Sequence, residues 1–149
     1  MSTYSEKIAS KLNDLLARTY DAEKGFQNAA ENIDSVKLKE YFSHKAAERK
    51  TFGHALKEEI KSYNQDVDKG GSIEGSVHRA WMDLKNTFTP DNEEAMLEEV
   101  ITGENKAIDD YNDIINDTEL PSSTKQLLVT QVSKIQDSLS TAKKLEDVY

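Results

Sequence analysis

Ile101, Glu104 and Ile108 fall on one face of any helix that contains them, so a carboxylate stands in the middle of an apolar stripe. A charge in that position needs a cation, because an isolated carboxylate taken out of water is costly or loses its ionisation. Three other segments carry a similar interruption. Glu23 lies between Thr19 and Phe26, and Gln131 between Leu127 and Ile135. Arg49 is nearly in line with Phe42, Phe52 and Leu56, with Glu48 at the edge of that stripe. Each of the four lies well inside its segment, so two hairpins with turns at opposite ends bring all four to similar height. Two chemistries use such a set. Glu23, Glu48 and Glu104 are hard oxygen donors suited to a di-iron or di-manganese centre. Alternatively, the planar fork of Arg49 binds Glu104 and Glu23 together, with Gln131 completing a buried hydrogen-bonded cluster.

The spacing of histidines separates the two. A di-iron carboxylate centre in a four-helix bundle takes a Glu from each of two helices and a Glu-x-x-His from each of the others. No Glu-x-x-His occurs: Glu48 is followed three places on by Thr51, Gln131 by Lys134, and no histidine follows His78. Arg49 also competes with a metal for the same carboxylates. The expected site is therefore a polar cluster of Glu23, Arg49, Glu104 and Gln131 with no cofactor. The di-metal oxidoreductase or ferroxidase is the alternative. Tyr20 and Tyr111 stand near such a centre but read as packing. Glu40, His44 and Glu48 share a four-residue spacing on a face off the apolar stripe, which is the pattern of a solvated surface. Glu74 and His78 repeat that spacing. His78 reads as a hydrogen-bonding neighbour of Trp81, and His54 points away from the core.

The elements that position these residues are helices. Apolar residues recur at helical spacing over about 3–31 (Ile8, Leu12, Leu15, Ala22, Phe26), 35–64 (Leu38, Phe42, Phe52, Leu56, Ile60), 91–116 (Leu97, Val100, Ile101, Ile108, Tyr111) and 122–147 (Leu127, Leu128, Ile135, Leu139, Ala142). A shorter amphipathic stretch over 73–88 carries Ile73, Val77, Trp81 and Leu84. Gly70-Gly71-Ser72 precedes it and Pro90 follows. The turn at Asn32–Asp34 is short enough to make the first two long helices an antiparallel hairpin. The second connection is far longer than a hairpin needs, and a short helix returning the chain along the bundle uses that length. The predicted fold is all-α, one domain over 1–149: four long helices with a long crossover carrying a short fifth helix, the single-crossover topology of ferritin-like bundles.

Composition sets the class of partner. The 149 residues carry a formal net charge of -9, with 32% charged and 36% hydrophobic residues and only 2 prolines. That balance suits a helical domain with a charged surface. It disfavours nucleic acid, which needs a basic face. The absence of cysteine removes disulfides and thiolate metal sites. No run of about 18 apolar residues suggests a membrane span, and the start of the chain reads as helix rather than leader. A cytoplasmic protein is expected, as a homo-oligomer, a dimer, if it self-associates.

Asp21-Ala22-Glu23-Lys24-Gly25-Phe26 with Ala29-Ala30, then Ala47-Glu48-Arg49, Gly75, His78-Arg79, Trp81, Gly103-Glu104 and Tyr111 occur in that order. In this the chain resembles a bacterial family of uncharacterised ferritin-like four-helix-bundle proteins, a domain of unknown function. The resemblance covers nearly the whole chain and implies the fold, with no activity or substrate attached. The expected role is that of a non-catalytic bundle, structural, interacting or stress-associated.

Overall fold

Helix starts are set by short polar side chains. The Thr3 hydroxyl accepts from the Glu6 N–H at 3.1 Å, and the Ser35 hydroxyl from the Leu38 N–H at 3.3 Å. Each satisfies a first-turn donor that has no partner within its helix. The computed structural model describes residues 3–67, 93–117 and 119–148. Its helices are α1 (Tyr4–Glu31), α2 (Val36–Ser62), α3 (Glu93–Asp117) and α4 (Ser122–Val148), and no strand occurs among the described residues. The short helix expected over 73–88, with Glu74, His78 and Trp81, lies outside the described residues. α2 stops at Ser62, where Asn64 takes a left-handed φ of 58° and the Tyr63 N–H turns back to the Ile60 carbonyl at 3.1 Å.

The four helices form a bundle. α1 packs along α2 and α3 along α4, while α1 also neighbours α3 and α2 neighbours α4. This leaves α2 and α3 on one diagonal. Contacts at the ends give the directions. The Tyr4 hydroxyl at the start of α1 donates to the Glu119 carbonyl beyond α3. Near the end of α2, the Glu59 carboxylate accepts from the Thr124 hydroxyl at 2.5 Å, and the Tyr63 hydroxyl sits 2.5 Å from the same Thr124 oxygen, in the first turn of α4. The start of α3 is at the opposite end, where Met96 and Leu97 pack with Phe26, Ile33, Leu38 and Leu145. Neighbouring helices are therefore antiparallel, and α2 and α3 run parallel. The end of α2 and the start of α3 therefore lie at opposite ends of the bundle, roughly 40 Å apart for helices of this size.

Two apolar clusters fill the interior. One lies toward the α1–α2 turn, around Phe26, Phe42, Leu97 and Val100. The other lies toward the opposite end, around Leu12, Leu16, Leu56, Leu128 and Ile135. Each leucine, isoleucine or phenylalanine so buried contributes about 1.5–3 kcal/mol. The polar residues of interest sit where the clusters meet.

Candidate functional site

Arg49 of α2 and Glu104 of α3 meet at the centre. They are 3% and 0% exposed, and Arg49 Nη2 donates to Glu104 Oε1. Because α2 and α3 are diagonal, the pair reaches through the bundle axis and ties one hairpin to the other. The guanidinium carbon lies 5.5 Å from the Phe26 ring centroid and 5.8 Å from that of Phe52. Both rings present a π-system to a permanent cation, which offsets part of its lost hydration.

Burial pushes the Glu104 carboxyl up, and Arg49 is the strongest influence opposing that rise. The Ser138 hydroxyl and the Lys45 ammonium also favour its charged form, while Glu48 disfavours it. Glu104 Oε2 nonetheless accepts no hydrogen bond of ordinary length. The ionised state of Glu104 therefore depends on Arg49 more than on any other group.

Gln131 of α4 is buried nearby but serves other partners. Its Oε1 accepts from the Tyr111 hydroxyl at 2.6 Å, and its Nε2 donates to the Phe52 carbonyl at 3.3 Å. This chain links α3, α4 and α2 beside the guanidinium. Burial pushes the Tyr111 phenol up to about 12. Tyr41 of α2 donates to the Ser138 carbonyl at 3.2 Å, and burial pushes its phenol up to about 12 as well.

Glu23, expected in the cluster, is not part of it. It accepts from Gln27 Nε2 at 3.3 Å and lines a surface groove between α1 and α2 with Ala47 and Lys50. Its helix is rotated so that Ala22 and Phe26 face inward and Glu23 sits at the shoulder of the stripe. Glu48 pairs with Lys45 Nζ at 3.4 Å, near enough to Glu104 to disfavour its charge. The three carboxylates proposed as metal donors each have a different partner, Gln27, Lys45 and Arg49. Among the described residues no three His, Asp or Glu side chains converge into a metal-holding group. Glu40, His44 and His54 are exposed on α2, and Tyr20 is half-buried under Lys57.

Sequence reasoning missed Lys45, Tyr41, Ser138 and Asp110. Asp110 is buried with Arg18 Nε at 3.6 Å and Lys106 Nζ at 3.4 Å. The spacing of Lys106 and Asp110 by four residues is a usable signal for that ion pair. For the other three, nothing in their own helix shows which neighbour covers them.

The arrangement is suited to fixing geometry. A guanidinium stays protonated at any ordinary pH and so neither donates nor accepts protons in turnover.

A family model described as a domain of unknown function (DUF2383) matches residues 7–117. The matched span holds Arg49, Glu104 and Tyr111, while Gln131 and Ser138 lie beyond it. No curated protein matches the chain.

Proposed function

The chain belongs to the DUF2383 family, and from that premise we propose that it is a non-catalytic ferritin-like bundle. In this reading the Arg49–Glu104 pair takes the central position that a di-iron centre holds in metal-binding bundles of the same architecture. The ferritin-like assignment is supported by two antiparallel hairpins whose second and third helices run parallel, which demands one long return connection. The reading takes the four described helices as one domain. The protein acts in the cytoplasm as a structural or interaction partner, as a dimer where it self-associates, without nucleic acid or membrane. Its net charge of -9 supports the first exclusion. For the second, no helix among the described residues is long and apolar enough to cross a membrane. An association with stress rests on analogy with other ferritin-like proteins alone.

One observation carries the reading: the carboxylate best placed for a central metal, Glu104, is engaged by a buried cation. Metal analysis of protein purified without chelator, after addition of iron and manganese, tests it. Substoichiometric metal that is unaffected by Glu104→Gln is expected. About two tightly held equivalents, lost in that variant, would replace this reading with a di-metal oxidoreductase or ferroxidase.

A further inference from the structure

Beside the buried pair a cavity of about 20 Å³ lies between α1 and α3, lined by Arg49, Asp110, Thr19 and Tyr111 among others. That is room for one water-sized occupant. The donors and acceptors around it define what the occupant must be.

The Asp110 side chain is 7% exposed and its Oδ2 accepts no hydrogen bond; Arg18 Nε, at 3.6 Å, is too distant to supply one. The Thr19 hydroxyl donates to the Leu15 carbonyl at 2.8 Å and lies within hydrogen-bond reach of the Tyr111 oxygen, while the Tyr111 hydroxyl donates to Gln131. Both oxygens can then only accept. On the other side, the bond to Glu104 uses one of the five N–H groups of a guanidinium. The cavity wall thus offers three acceptors and spare cationic donors. Arg18 is on the same wall but is paired with Asp110, so the groups that face a small occupant are these oxygens and the spare Arg49 donors. A neutral molecule that accepts once and donates twice fits.

We propose that this cavity binds one water molecule, which accepts from Arg49 and donates to Asp110 Oδ2 and to the Thr19 or Tyr111 oxygen. The site joins the Arg49–Glu104 pair to Asp110, and through Asp110 to Arg18 and Lys106, whose side chains are 33% and 42% exposed. The central pair is therefore not sealed. One water and the ion pairs of Asp110 lead from it to the partly exposed side chains of Arg18 and Lys106.

High-resolution crystals, one set soaked in bromide, test the assignment. The expected result is a single ordered peak without anomalous signal, within about 3.2 Å of Asp110 Oδ2 and of an Arg49 nitrogen. A bromide peak, an empty cavity, or Arg49 bonded directly to Asp110 would each overturn it. In solution, a long-lived water cross-peak to the Ala22 methyl is expected in the parent and its loss in Ala107→Leu, which fills the cavity. Should that variant not fold, the parent's cross-peak still decides: its absence counts against the site.

Discussion

Replacing Arg49 with leucine removes the cation and leaves Glu104 in a site with 0% exposure. The carboxylate then either stays charged without its partner or takes a proton, and the cheaper path sets the penalty. At pH 7, protonating a carboxyl whose ordinary pKa is 4.5 costs about 3.4 kcal/mol, at 1.36 kcal/mol per pH unit. This agrees with the roughly 3–5 kcal/mol that breaking a buried ion pair costs. For a chain of this size it corresponds to a Tm lower by roughly 10 °C. The pH dependence follows from the direction of the shift. Burial raises the folded pKa of Glu104 above its unfolded value, and raises it further once Arg49 is gone. Stability contributed by such a group is complete below the unfolded value and is lost as pH rises through the folded one. The gap between Arg49→Leu and the parent is therefore widest near neutrality and narrows toward pH 5. Thermal unfolding by far-UV circular dichroism from pH 5 to 8 measures it. A double variant, Arg49→Leu with Glu104→Met, removes both charges and is expected to recover most of the loss. Equal melting of Arg49→Leu and parent at pH 7, or a gap that ignores pH, would refute the reasoning.

Three further outcomes are expected. Burial pushes Tyr41 and Tyr111 up to about 12, so their contribution to stability is complete below pH 10 and is lost as pH rises through about 12. Melting curves combined with tyrosinate absorbance follow this loss, and Tyr111→Phe makes it smaller. Gln131→Leu strands the Tyr111 hydroxyl, at a cost of about 1–3 kcal/mol by urea unfolding, and adding Tyr111→Phe restores most of it. Ser35→Ala removes the cap of α2 and lowers stability by about 1 kcal/mol in the same assay.

The four long helices were legible in the sequence because their apolar residues hold one period over many turns, and because Asn32–Asp34 and Pro121 punctuate them clearly. Spacing gives the angle of each side chain about its own helix but not its company. Arg49 and Glu104 occupy inward angles on helices that are diagonal to each other, a relation no single helix encodes. Glu23 shows the limit. A modest rotation of α1 against α2 moves a residue at the stripe's shoulder out of the core, where Gln27 holds it. Lys45 and Asp110 are the reverse case, charged shoulders that a neighbouring helix covers. Their burial depends on bundle geometry, which periodicity leaves open.

A crystal structure of protein produced with iron and manganese, with anomalous data at both absorption edges, addresses the centre of the bundle directly. The account predicts the Arg49 guanidinium on Glu104 between the Phe26 and Phe52 rings, with no anomalous scatterer bound to Glu104. A metal ion held by Glu104, with the Arg49 side chain displaced from it, would contradict the account.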